Sequence, residues 1–242
     1  MTPSEFAHEF TRRTFLKAGL ATSLATIFSL GGNADSEASI PTPKSDITHG
    51  PRSGTNVALT FHGAGDPAIA SRLLGIFASE KTPISVFAVG TWLKANPEFA
   101  KKILDAGHDL GNHTFSHTQM KTIPAKKVDS EIALCAAELK KLIGNHGKWF
   151  RPSGTQYSTP LIRRMAAKYG YSRCISYDVD SHDYQDPGAA AVIANTMKSI
   201  QPGSIISLHF GHENTVAAMP KLLADINAKG LTPVTLSTLL GA

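Results

Sequence analysis

The chain has 242 residues, a formal charge of +5 from 24 Lys and Arg against 19 Asp and Glu, and 42% hydrophobic residues. That length and apolar content suit one domain with a sizeable core. The 2 cysteines are too few for a disulfide scaffold. Basic pairs such as Lys101-Lys102, Lys126-Lys127 and Lys140-Lys141 are scattered and lack interleaved aromatics, which argues against nucleic acid as a partner.

Residues 11–17 read "TRRTFLK", followed by a short apolar stretch from Ala18 to Leu30 and then "GGNADSEAS". Paired arginines before a short, weakly hydrophobic run predict a twin-arginine export signal. A membrane span needs about 20 apolar residues, so no stable membrane anchor is expected. Ser36-Glu37-Ala38 offers small residues for cleavage near Ala38. The expected organisation is a signal over residues 1–38, a flexible Pro/Ser/Thr/Gly-rich linker over 39–55, and one domain over 56–242. The expected partner for the signal is the Tat export machinery. The expected location is periplasmic, cell-wall associated or secreted, and a mildly basic surface suits loose association with an anionic wall.

From Val57 onward, short strand-like and longer helix-like segments alternate. "VALTFHG", "PISVFAVG", "HDLGNHT", "KWFRPS", "RCISYDVD", "SIISLHF" and "TPVTLS" read as strands. "PEFAKKILDAG", with Phe99, Ile103 and Leu104 on one face, "PAKKVDSEIALCAAELKKLIG", "TPLIRRMAAKYG" and "NTVAAMPKLLADINAKG" read as helices ending at glycines. Repeated strand–helix units predict an α/β fold with parallel strands. His62, His113, Arg151, Asp180 and His209 fall at or just past strand ends. That placement favours a distorted (β/α) barrel of about seven parallel strands with its site at one end. Cys135 and Cys174 read as small buried residues, with a bridge left open. Trp92 and Trp149 read as core, and His108, His146 and His182 as surface.

The polar strand ends carry the chemistry. In "GNHTFSH", His113 and His117 are four apart, and a helical turn starting at His113 would put both imidazoles on one side, able to share a cation. "ISVFAVGTWLKANPEFAKKILDAGHDLGNHTFSH" resembles the central region of the polysaccharide deacetylases, carbohydrate esterase family 4, with the NodB homology domain. The resemblance runs from about Val57 to Leu240. His113-Thr114-Phe115-Ser116-His117 matches the second family motif. Phe150-Arg151-Pro152-Ser153-Gly154 matches the third, one residue short. Asp180-Ser181-His182-Asp183-Tyr184 matches the fourth, and His209 matches the fifth, with Ser207 in its Leu position. The first motif departs: where the family has Thr-Phe-Asp-Asp-Gly, this chain has Thr60-Phe61-His62-Gly63.

The resemblance implies a metal-dependent hydrolase that removes acetyl groups from a polysaccharide. An N-acetylglucosamine polymer such as peptidoglycan or a chitin-type chain is first, O-acetylated xylan second. It implies one divalent metal, zinc first, with cobalt or nickel as substitutes. The adopted assignment puts Asp66, His113 and His117 on the metal and His62 as general base. It makes His209 the acid, tuned by Asp180 or Asp183, makes Arg151 the residue orienting the base through Asp66 or Asp180, and gives Tyr184 the task of stacking on a sugar. Two alternatives stay open. His62 and Asp66 exchange roles, or Asp66 only caps the helix that starts at Pro67. The loss of both first-motif aspartates also leaves open a non-catalytic glycan-binding protein on the same fold.

Overall fold

The computed structural model describes residues 45–242; the expected signal peptide lies outside the described residues. The elements in chain order are β1 (Asn56–Gly63), α1 (Pro67–Ser79), β2 (Ser85–Ala88), α2 (Gly90–Ala95), α3 (Glu98–Asp105), β3 (Asp109–Asn112), α4 (Ala125–Ile143) and α5 (Pro160–Lys168). They continue with β4 (Val179–Asp180), a 3-10 turn (Asp183–Gln185), α6 (Ala189–Ser199), β5 (Ile205–His209), α7 (Glu213–Ala228), β6 (Thr232–Pro233) and α8 (Leu236–Leu240). The sheet runs β3-β2-β1-β5-β4, with β6 also paired to β1. Every strand pairing is parallel. This is the α/β arrangement that alternating strand and helix patterns require.

The sheet does not close as a continuous barrel. "KWFRPS" is not a strand: Phe150 makes single parallel bridges to Asn112 and to Cys174, and these alone span the gap between β3 and the segment leading into β4. Pro152 follows at once and has no N–H to extend a ladder. β1 is the central strand, and Val57 to Phe61 are fully buried. Helices cover one face of the sheet with Leu73, Phe77, Leu93, Ile103, Leu139, Leu222 and Ile226, all buried. Burial on this scale contributes about 25 cal/mol per Å² of apolar surface.

Several helix boundaries follow from their caps. Thr159 accepts from Ile162 N at the start of α5, and Pro160 holds the first turn. Gly144, at φ 80°, ends α4. Leu104 is 39% exposed and is not on the buried face of α3. Trp92 and Trp149 are buried, as expected, but so is His108, contrary to its surface assignment. Cys135 and Cys174 are buried and unbridged, and burial pushes each thiol up to about 12.

The expected linker is only partly a linker. Ile47 N donates to Cys174 O, Ser176 N donates to Ile47 O, and Gly50 N donates to Gly203 O. Arg52 pairs with Asp178 at 2.8 Å, and Asp46 accepts from Ser158 N. Pro- and Gly-rich composition signals irregular backbone, and here that backbone is laced onto the domain rather than free of it. Among the described residues, no helix is long and apolar enough to cross a membrane.

Candidate active site

The parallel register of β1 and β5 sets His62 opposite His209. Their imidazoles meet, with His62 Nδ1 2.7 Å from His209 Nε2. The other nitrogen of His209, Nδ1, lies 2.7 Å from Asp183 Oδ1. Asp183 is fully buried and also accepts from His209 N and Thr215 Oγ1. Burial opposes its charge, but the bonds from His209 and Thr215 outweigh that and hold the carboxyl below its usual range. Asp180 is not the partner of His209. Its Oδ1 accepts from His182 N in a local turn, because a residue two positions on is the nearest donor.

Arg151 lies at the far end of this row. It is buried, and its Nη1 is 3.2 Å from His62 Nε2. Its other donors go to Thr60 Oγ1, Ile175 O and Ser176 O. It pairs with neither Asp66 nor Asp180, because the Ile175 and Ser176 carbonyls, in the segment leading into β4, together with Thr60 Oγ1 and His62, already satisfy the guanidinium. Burial pulls its pKa down to about 9, so it stays charged at neutral pH.

A guanidinium can only donate and an ionised carboxylate can only accept. Arg151 therefore fixes His62 Nε2 as acceptor, so neutral His62 carries its proton on Nδ1 and gives that bond to His209 Nε2. His209 then carries its proton on Nδ1 and gives it to Asp183. The row Arg151–His62–His209–Asp183 has one direction throughout. Both nitrogens of His62 are engaged in it, so His62 does not present a free lone pair as a base. Burial, then the nearby imidazoles and guanidinium, hold His62 well below the ordinary imidazole value.

His113 stacks under His62, with ring centroids 4.2 Å apart. Its Nδ1 donates to Arg151 O at 2.9 Å, which leaves Nε2 buried and, among the described residues, without a partner. His113 and His117 do not lie on a helical turn. Thr114 (φ 68°) and His117 (φ 57°) are both left-handed, an uncommon state for residues with a Cβ. The chain leaves β3 in a tight irregular turn instead, and the ring centroids of His113 and His117 are 5.1 Å apart. Gly90 allows this turn to sit close to α2; a Cβ there would lie 2.6 Å from Phe115 Cδ2.

Asp66 is the N-cap of α1. Its carboxylate is exposed and accepts from Ala68 N at 2.8 Å, with Pro67 opening the helix. The structure does not bring it to the two histidines. Among the described residues no group of three or more His, Cys, Asp or Glu is placed to hold a metal. The bare Nε2 of His113 has the character of a ligand whose other nitrogen is held by a backbone carbonyl. A catalytic zinc takes three protein ligands, however. A histidine pair does not make that set, and Gly63 has no side chain to complete it. A Cβ on Gly63 would meet Val86 Cγ1 at 2.8 Å and Ala88 Cα at 3.1 Å.

A cavity of about 560 Å³ opens over this group, and His62, His117 and His209 line it. Tyr184 is 45% exposed on its rim and packs edge-on against His209, ring centroids 5.3 Å apart. That leaves its ring available for an apolar sugar face. The sequence reading did not assign roles to Tyr177, Gln156 and His212, which also line the cavity. His212 Nδ1 pairs with Asp186 at 3.0 Å. Only folding selects these residues: Gln156 comes from the segment before α5, Tyr177 from the segment leading into β4, and His212 from the loop after β5. Thr215, which holds Asp183, likewise had no signal beyond its place in a helical pattern.

The family model described as Polysaccharide deacetylase matches residues 49–174, just over half of the chain. The chain belongs to the polysaccharide deacetylase family. A peptidoglycan-N-acetylglucosamine deacetylase from Bacillus cereus is 29% identical over 188 residues, 76% of this chain and 87% of that protein. The structure of a peptidoglycan N-acetylglucosamine deacetylase superposes with a TM-score of 0.75 at 24% identity, over 81% of this chain and 92% of that one. A mutant of a carbohydrate esterase family 4 pseudoenzyme, described as having restored enzymatic activity, superposes with a TM-score of 0.74 at 25% identity. That match covers 80% of this chain and 70% of that one. As a polysaccharide deacetylase, this chain keeps the family's second to fifth motifs around one cavity and lacks the aspartates of the first.

Proposed function

We propose that this polysaccharide deacetylase is an exported hydrolase that removes acetyl groups from an N-acetylglucosamine-containing glycan, peptidoglycan or a chitin-type chain, with O-acetylated xylan second. The observation that carries the proposal is the His209–Asp183 pair, 2.7 Å apart, on the wall of the 560 Å³ cavity. The likeness to the Bacillus cereus deacetylase supports the glycan. The twin-arginine pattern of residues 11–17 supports export.

The chain's own residues suffice to describe the proton path. When substrate displaces His62 from His209 Nε2, that nitrogen takes a proton from the attacking water. The water oxygen bonds to the acetyl carbon, and anionic Asp183 stabilises the imidazolium, as an orienting carboxylate does in a triad. The carbon–nitrogen bond breaks, and His209 returns the proton to the leaving amine. Tyr184 stacks on the sugar. A divalent metal would be held by His113 and His117, one protein ligand short of a catalytic zinc site, so no step here passes through it.

The test is acetate release by the full chain from peptidoglycan, chitooligosaccharides and acetylated xylan, with added zinc and with chelator. Release from the N-acetylglucosamine polymers, lost in His209→Ala, is the expected result. Loss with chelator and recovery with zinc would assign an ion to the histidine pair. A folded protein that releases no acetate from any of these overturns the proposal. The second reading, glycan binding without turnover, draws on the missing third ligand and on the engaged lone pair of His62. It requires saturable glycan binding that chelator leaves unchanged.

A further inference from the structure

The turn that carries His113 and His117 needs an external support, because Thr114 and His117 are held at positive φ on either side of Phe115 and Ser116. Residues with a Cβ held at positive φ are strained and persist only where the surroundings over-determine them. One side of the support is the start of α2, where Gly90 N donates to Thr114 O and Thr91 N to Phe115 O. On the other side Asn112 Oδ1 accepts from Thr114 N and Thr114 Oγ1 bonds Ser153 Oγ, both at 2.8 Å, while the next two N–H groups, of Phe115 and Ser116, go to one side chain. Glu131, in the second turn of α4, is fully buried. Its Oε2 accepts from Phe115 N at 3.0 Å and Ser116 N at 2.7 Å, and its Oε1 accepts from Ser116 Oγ at 2.7 Å. Lys127, one turn earlier, supplies the counter-charge at 3.0 Å.

We infer that Glu131 is the positioning residue of this site: by collecting the two backbone N–H groups between Thr114 and His117, it sets the separation and orientation of the two imidazoles. A buried carboxylate would otherwise be costly, and it is retained here because two peptide N–H groups would be left unsatisfied without it. The inference deepens the proposed deacetylation and rests on that reading only for its kinetic arm.

The test uses the full chain with Glu131→Leu, which fills the space but accepts nothing, and Glu131→Gln, which keeps an acceptor oxygen for the N–H groups and an amide for Ser116 Oγ. Imidazole NMR signals of His113 and His117 should move in Glu131→Leu while those of His209 stay. Acetate release should fall about tenfold or more in kcat with KM little changed, as expected for a small misplacement. Glu131→Gln should restore both readouts, because acceptance rather than charge is at stake. Ser116→Ala, on an exposed residue, removes a single bond to Glu131 and covers the case in which Glu131→Leu does not fold; it should shift His117 without lowering the thermal midpoint. Unmoved His113 and His117 signals in both Glu131→Leu and Ser116→Ala, or Glu131→Gln as impaired as Glu131→Leu, would overturn the inference. No acetate release by the wild type would count against the proposed function instead, and the imidazole signals would still decide on Glu131.

Discussion

The ends of β1 and β5 lie side by side and face the same cavity, yet they are built differently. At the end of β5, His209 is backed by Asp183, and Asp183 by Thr215, so every donor and acceptor has a partner of the right kind. At the end of β1, His62 stands where the family resemblance places a carboxylate, and the buried cation Arg151 faces an imidazole. The first arrangement readies a nitrogen for proton transfer. The second locks a histidine into the direction of the row and leaves a buried cation hydrogen-bonded to neutral acceptors and stacked over the Phe87 ring, 4.3 Å to the centroid. One half of the site is therefore organised for chemistry, and the other for holding that half in one tautomer.

The largest expected effect tests the β5 side. Asp183→Asn should reduce acetate release by about 10²–10⁴-fold, the usual range for general acid–base support, with the chain still folded by circular dichroism. A small effect would mean that His209 does not depend on its carboxylate. On the β1 side, Gly63→Asp tests whether the family carboxylate can simply be put back. Its Cβ meets Val86 Cγ1 and Ala88 Cα, so urea unfolding should show a loss of about 1–3 kcal/mol. Adding Val86→Ala should recover part of that loss; an unchanged stability in Gly63→Asp alone would show that the strand end has room.

Acid should sharpen the contrast further. His62 and His113 are held neutral by burial, well below the ordinary imidazole value, so the unfolded chain binds more protons than the native one once pH falls under about 6.5. Stability is complete above that pH and should decline as pH drops, read as a falling urea midpoint between pH 7 and 5. Asp183, whose folded pKa is depressed, adds to the loss at still lower pH in the same direction. A midpoint that stays flat down to pH 5 would mean that the histidines charge without cost. The smallest effect belongs to the rim. Tyr184→Ala should raise KM roughly fivefold, about 1 kcal/mol of stacking, and leave kcat nearly unchanged.

Much of this was legible before any coordinates. Period and breaker residues placed α4, α5 and α7 within a few positions, and alternation of strands and helices required parallel pairing. His62, His113, Arg151, Asp180 and His209 were singled out by falling at strand ends, His117 by its spacing from His113 and Asp183 by the family motif; of the two aspartates it is Asp183, not Asp180, that meets His209. The errors share one cause. A helical turn at His113 and a metal-bound Asp66 were reasoned from residue type and spacing, and an Arg151–carboxylate pair from the family resemblance. The outcome depended on which competing partner lay nearer. Ala68 N is two residues from Asp66 and costs no loop closure to reach. The Ile175 and Ser176 carbonyls reach Arg151 before any carboxylate does.

The alternation of strands and helices, most of the strands, the longest helices and the family were all readable from the chain, because periodicity, capping and strand-end placement are local properties; "KWFRPS" was the strand that did not form. How the site residues are wired came from packing in three dimensions. The β1–β5 register puts His62 against His209, α4 brings Glu131 under a turn fifteen residues earlier, and the direction of each hydrogen bond is fixed by what lies at the far ends of the row. Spacing along a chain carries no information about which of several equally suitable donors arrives first in space.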